Sequence, residues 1–210
     1  WVPRAGDHRP YPNSHIWVED MKESYSFQER NNFWLNDGSF DLLKGNALSV
    51  AKLGAYKNLF SGCGVVHDHA PLQKDRYYDS MPILVPKRFR QCHSLTLGNW
   101  WGGKSAEEEM ELSQNAMPYI IHLGEGTDDI TKGEFAQLEK RNLLRPNTMM
   151  IHGIAFDPKQ IKRIAEVGAT VCWCPGSNYY LIGQTFDIDA ALAAGTNVVI
   201  GTDSTMSGEI

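Results

Sequence analysis

At 210 residues, with 42% hydrophobic and 21% charged residues, the chain has an ordinary globular composition and enough apolar material for a sizeable core. A formal net charge of −5 with interspersed signs excludes the basic stripe of a nucleic-acid or membrane-surface binder, and no apolar stretch approaches the roughly 20 residues needed to span a bilayer. Four cysteines (Cys63, Cys92, Cys172, Cys174), embedded in apolar segments, exclude a disulfide framework and favour small buried hydrophobes in a reducing, cytoplasmic setting.

The chain opens at Trp1 with neither Met nor signal peptide, so it reads as a piece of something longer. Residues 1–40 are polar and aromatic (Trp1, Trp17, Tyr25, Phe27, Phe33, Trp34) and are expected to form a long loop excursion with some helix. From residue 41 to 210 the chain reads as a succession of βα units within one partial domain. Leu42 to Leu59 has a helical apolar pattern stopped by Gly62, leading into a strand at Cys63–His67. Met81–Val85 reads as another strand, Arg90–Leu97 as a further candidate, and Lys104–Gln114 as a helix whose Glu107, Glu108, Glu109 and Glu111 form a solvated face.

The second half is more sharply punctuated. Tyr119–Leu123, Thr148–His152, Ala169–Cys174 and Asn197–Gly201 are short apolar runs rich in strand formers. Phe135 and Leu138 mark a helix after the first run. After the second, Asp157 supplies an N-cap and Pro158 the first helical position; Ile161, Ile164 and Ala165 form the stripe and Gly168 the stop. Asp187 and Gly195 bracket another helix in the same way. Continuously apolar strands alternating with helices imply a parallel sheet covered by helices.

Functional side chains fall where these strands end: His122 and Glu125 after the first, His152 on the second, Asp203 after the last. In parallel α/β architectures the carboxyl ends of strands share one face, and that face holds the active site. Imidazole and carboxylate suit Zn²⁺ or Fe²⁺, which can generate a nucleophile from water near neutral pH. Each residue also has a plainer reading: a His ending a strand is often a hydrogen-bonded structural group, and an Asp after a strand is often a helix cap. Cys172 and Cys174 share one strand face and could bind a soft metal, but no second Cys/His pair lies at finger spacing.

His122-Leu-Gly-Glu125 resembles the fifth-strand His-x-x-Glu of the amidohydrolase superfamily, in its cytosine deaminase, guanine deaminase and triazine hydrolase branch. Ile151-His152-Gly153 resembles the sixth-strand His-Gly, Cys174-Pro-Gly-Ser-Asn178 that branch's Cys-Pro-x-Ser-Asn, and Gly201-Thr-Asp203-Ser204 the eighth-strand Gly-Thr-Asp-Ser. Leu59 to Val66 is similar to the second-strand segment. The resemblance implies a (β/α)8 TIM-like barrel and a hydrolase of carbon–nitrogen bonds other than peptide bonds, deaminating a cyclic amidine such as a purine, pyrimidine or triazine-like ring. It implies one divalent metal, zinc before iron. His122 and Asp203 would be ligands, with Asp203 also taking a proton from the attacking water. His152 would orient that water, and Glu125 would act as general acid–base on a substrate nitrogen. His93 and Asn178 would contact substrate; a surface histidine and a turn asparagine are the alternatives.

The family's first-strand His-x-His is missing upstream of residue 59. His67-Asp-His69 is a tempting substitute, but His69 precedes His122 by only 53 residues, too few for four βα steps of about 25–30 residues each. The expected architecture is therefore an incomplete α/β barrel, strands two to eight present and the first absent, with little activity as an isolated piece. A small heterocyclic substrate is the expected partner, and homo-oligomerisation stays open. A chlorohydrolase, a cyclic amide hydrolase or a non-catalytic barrel relic fit the same residues, whereas no glycine-rich nucleotide loop follows any strand.

Overall fold

The computed structural model describes residues 8–25, 27–28, 41–67, 72–98, 103–204 and 207. The described residues divide into two compact units, one within 21–88 and the other within 8–20 and 89–207.

In the first unit, helix α2 (Ala47–Phe60) packs Ala47 and Ala55 in a cluster with Leu42, Tyr77, Tyr78 and Ile83. The helix starts later than its apolar pattern suggests because Gly45 adopts φ 53°, a left-handed turn that breaks helical continuation before Asn46. Helix α3 (Asp75–Asp79) supplies the two tyrosines. The segments 63–67 and 81–85, expected to be strands, are not strands. They are joined by a single parallel bridge between Val65 and Leu84, with Val66 N–H donating to Leu84 O at 3.0 Å. Pro82 and Pro86 flank the bridge, and a proline has no N–H for a ladder.

The second unit is a five-stranded, wholly parallel sheet in chain order: β1 (Arg90–Ser94), β2 (Tyr119–Leu123), β3 (Thr148–His152), β4 (Thr170–Trp173) and β5 (Asn197–Ile200). Helix α1 (Ser14–Lys22) begins in this unit. The remaining helices follow the strands: α4 (Ala106–Ser113), α5 (Asp129–Lys140), α6 (Pro158–Val167), α7 (Pro175–Ile182) and α8 (Ile188–Ala194). The core between sheet and helices includes Met110, Tyr119, Ile121, Leu138, Met150 and Ile164, all buried. This alternation and register belong to the expected α/β barrel class.

Local chemistry accounts for the element boundaries. Asp157 Oδ1 accepts from the backbone of Lys159 at 2.8 Å and Gln160 at 2.9 Å, while Gln160 Oε1 accepts from Asp157 N–H at 3.0 Å. This reciprocal cap contributes on the order of 1 kcal/mol. Gly168 and Gly195 close α6 and α8 in the left-handed conformation. Strand β5 lies at a sheet edge and leaves Val199 and Ile200 exposed. Among the described residues, no helix is long and apolar enough to cross a membrane.

Candidate active site

The parallel register aligns the strand ends. His122 pairs with Ile151 and Leu123 with His152, while Trp173 pairs with Ile200 three residues before Asp203. His122, Glu125, His152 and Asp203 thereby reach one rim. At two of these positions the backbone leaves its ordinary region: His152 has φ 80° and Asp203 φ 59°. Left-handed conformations cost L-residues of order 1–3 kcal/mol and gather where a site must aim a side chain out of the regular pleat.

Glu125, His152 and Asp203 each bring one potential ligand atom to within 4.8 Å of the others. Glu125 and His152 are buried, and His152 Nε2 lies 3.5 Å from Glu125 Oε2; Asp203 is exposed and accepts from Ser207 Oγ at 2.7 Å. Burial raises the Glu125 carboxyl above its usual range, opposed by the nearby His152 and reinforced by Asp203. Burial alone would lower His152, but the carboxylates of Glu125 and Asp203 and a hydrogen bond with Asn178 outweigh it and raise the imidazole. The pair thus holds protons more tightly than either group would in water.

That last hydrogen bond fixes a tautomer. Asn178, buried on α7, presents Oδ1 to His152 Nδ1 at 2.9 Å, and its amide nitrogen donates to Thr185 Oγ1 at 3.2 Å. With the amide so oriented, His152 carries its proton on Nδ1 and turns Nε2 toward Glu125. Asn178, expected to contact substrate, holds the His152 ring through this bond.

His122 is fastened similarly. Its Nδ1 lies 2.8 Å from His93 O, so Nδ1–H donates and Nε2 carries the lone pair. The β1–β2 register shifts between Cys92 and Ser94, taking His93 out of the ladder and leaving its carbonyl for His122. The His93 and His122 rings stack at 4.7 Å between centroids, and His122 lies 5.6 Å from His152 on the same measure. His122 thus stands one ring away from the Glu125–His152–Asp203 group. Burial pushes the His93 imidazole down to about 4, with the neighbouring His15 and His152 acting in the same direction.

Several contributors lay outside the sequence reading. Glu134, buried on α5, accepts from Gly124 N–H at 2.7 Å and from Thr96 Oγ1 at 2.8 Å, tying the loop before Glu125 to the exit of β1. His15 Nε2 lies 3.6 Å from the same carboxylate. Glu134 falls beside Phe135 on the apolar face of its helix, and an acidic residue there was the available signal. Ser14 and Asn13, more than 100 residues upstream of Glu125, gave none. Cys172 and Cys174 turn their sulfurs toward Gly201, where an added Cβ would meet them at 2.7 and 2.8 Å; the described metal-competent group contains neither. His69 lies outside the described residues.

The family model described as "Amidohydrolase family" matches residues 92–210. The chain is 40% identical over 72 residues to aminodeoxyfutalosine deaminase of Deinococcus radiodurans, covering 34% of this chain and 17% of that protein. It is 35% identical over 132 residues to 5-methylthioadenosine/S-adenosylhomocysteine deaminase of Pyrococcus abyssi, covering 60% and 29%. The matched part thus spans less than a third of either relative. Among solved structures, atrazine chlorohydrolase from Arthrobacter aurescens TC1, complexed with zinc, superposes with a TM-score of 0.66 at 16% identity, over 98% of this chain and 57% of that one. At that identity the likeness carries the fold alone.

Proposed function

The chain belongs to the amidohydrolase family, and from that premise we propose that it carries the catalytic rim of a metal-dependent hydrolase that deaminates a cyclic amidine. The observation that carries this reading is the meeting of Glu125, His152 and Asp203, from three separate strand ends, within ligand distance of one another. Imidazole and carboxylate suit Zn²⁺ or Fe²⁺, and of this group Asp203 would hold the ion while Glu125 beside it is left to carry a proton. His122, whose Nδ1–H is committed to His93 O, would join Asp203 in holding the ion, with His152 beside them. When bound, the metal supplies a water nucleophile at neutral pH and polarises the carbon under attack.

The protein groups then account for the protons. Hydrolysis replaces an exocyclic amino group by oxygen; one water proton ends on the ring nitrogen and the other leaves with ammonia. Asp203, the exposed member, accepts a proton from the attacking water. Glu125, held protonated more readily than an ordinary carboxyl, delivers one to the substrate nitrogen. His152, its tautomer set by Asn178, aims Nε2 at the same space and fixes the orientation of the water. The deaminase names among the relatives favour an aminopurine-type ring.

The test is metal analysis of the purified full-length protein followed by ammonia release from 5-methylthioadenosine, S-adenosylhomocysteine and 8-oxoguanine, with chloride release from atrazine as the competing chemistry. One tightly held zinc or iron per chain and ammonia from an aminopurine are expected. A protein that holds no divalent metal and releases neither product would sink the reading and favour a non-catalytic relic.

A further inference from the structure

Glu134 lies on α5 and is only 2% exposed, yet both of its carboxylate oxygens are in use. Oε2 accepts from Gly124 N–H at 2.7 Å, and Oε1 accepts from Thr96 Oγ1 at 2.8 Å. His15 Nε2 stands 3.6 Å from the same Oε1. Burying a carboxyl carries a desolvation cost that apolar packing does not. A helix that needed only to pack would carry an apolar side chain here.

Both partners lead to the rim. Gly124 follows the last residue of β2 and precedes Glu125, and its φ of 68° is a left-handed step at the end of the ladder. Its carbonyl accepts from Ala155 N–H at 3.0 Å, and a Cβ there would meet Phe156 Cε1 at 2.9 Å. Farther along the loop, Ser14 N–H donates to Glu125 O at 3.0 Å and Thr127 N–H to Pro12 O at 2.8 Å. Asn13 bridges Gly126, where a Cβ would lie 2.6 Å from Pro12 O, so residues 12–14 cross the loop at main-chain contact. Thr96 sits in the turn after β1, which Gly98 N–H closes by donating to Ser94 O at 3.0 Å. That turn follows His93, whose carbonyl lies 2.8 Å from His122 Nδ1.

We infer that Glu134 is a positioning residue that braces two sides of the rim with one buried carboxylate. One arm holds the Gly124 turn that aims Glu125; the other holds the turn that follows the His93 carbonyl and, through it, His122. Removing the carboxylate releases both arms together. Proton transfer requires placement within hydrogen-bond reach, and a displacement of about 1 Å can slow a reaction by about 10²-fold. The kinetic consequence rests on the proton-transfer role proposed for Glu125; the brace itself does not.

The experiment compares wild type, Glu134→Met and Glu134→Gln in the full-length protein. It reads hydrogen exchange at the Gly124 amide, and turnover, per metal-loaded enzyme, of whichever substrate releases ammonia. Methionine fills the volume without an acceptor. In Glu134→Met the Gly124 amide is expected to exchange about tenfold faster, beyond any change shared by Ile121 and Met150 in β2 and β3. The expected kcat is lower by about 10- to 100-fold, with KM within about threefold. Glutamine keeps an oxygen for Gly124 N–H and an amide for Thr96 Oγ1, and is expected to restore the protection and most of the lost turnover. Gly124 exchange that follows the strand amides overturns the inference, as does an unchanged kcat in an active enzyme or a loss that glutamine does not rescue. Should Glu134→Met not fold, Thr96→Val releases one arm alone and is expected to speed Gly124 exchange by about threefold; no change there is equally fatal. If wild type hydrolyses nothing, the functional reading fails, while Gly124 exchange still decides whether Glu134 braces the loop.

Discussion

His152 Nε2 faces Glu125 Oε2 across 3.5 Å, and both side chains are almost fully withdrawn from water. In that setting the charges act in opposite senses: His152 lowers the proton affinity of the Glu125 carboxyl, and Glu125 raises that of the imidazole. Glu125→Gln preserves size and removes the exchangeable acid. The expected outcome is near-normal metal content with kcat lower by about 10²- to 10⁴-fold, the usual contribution of a positioned general acid–base. Steady-state kinetics with elemental analysis of the same preparation checks it, and undiminished turnover would remove Glu125 from proton transfer.

Asn178 acts at one remove. Asn178→Ala leaves the buried Nδ1–H of His152 without its acceptor, which costs about 1–3 kcal/mol in stability. Freed from its tautomer, the ring is also expected to weaken metal affinity or turnover by about 10- to 100-fold, as for other outer-shell partners of ligating groups. Denaturant unfolding and chelator competition measure the two effects separately. A variant with wild-type stability and wild-type affinity would show that Asn178 is not holding the ring.

These two residues also mark where the sequence was legible. Strands β2 and β3 begin and end where their apolar runs do, and Asp157, Gly168, Asp187 and Gly195 cap the helices they punctuate. Such signals are local: a period, a cap and a left-handed glycine declare themselves within a few residues. His122, Glu125, His152 and Asp203 were visible because strand ends in a parallel sheet converge whatever the loops do. Asn178 could be noticed, but only the fold shows that its amide hydrogen-bonds the His152 ring. Ser14 left no trace, because its partner is over 100 residues away and joined to it by loop contacts without a period. The segments 63–67 and 81–85 failed in the opposite direction. They have strand composition, but strand formation depends on neighbours and on donors that Pro82 and Pro86 lack.

The close crossing at Gly126 yields a stability prediction with an internal control. Gly126→Ala must displace Pro12 O, a main-chain atom that cannot rotate away, and is expected to destabilise the protein by about 1–3 kcal/mol. Gly133, inside α5, has no heavy atom within 4 Å of an added Cβ, so Gly133→Ala is expected to stabilise by about 0.5–1 kcal/mol through helix propensity. Thermal unfolding of both variants should move in opposite directions. Equal and small shifts would mean that residues 12–13 do not press on the Glu125 loop.

Away from the rim, Arg141 at the end of α5 grips Glu107 in the first turn of α4 through two hydrogen bonds, Nε to Oε1 at 2.6 Å and Nη2 to Oε2 at 2.8 Å. Those bonds, helped by the helix N-terminus, hold the Glu107 carboxyl down at about 2, against an ordinary value of 4.5. A carboxyl whose folded value is depressed stabilises the protein above its unfolded value and loses that contribution as pH falls toward the folded one. The pair's contribution is therefore complete at neutral pH and declines between about 4.5 and 2. Both side chains are substantially exposed, so the contribution is small, about 0.5–1 kcal/mol at most, and weaker in high salt. Denaturant unfolding of wild type and Glu107→Gln should separate the curves at pH 7 and draw them together as the pH falls to about 2. A gap that stays constant with pH, or widens on acidification, would assign the effect of the substitution to packing and not to the ion pair.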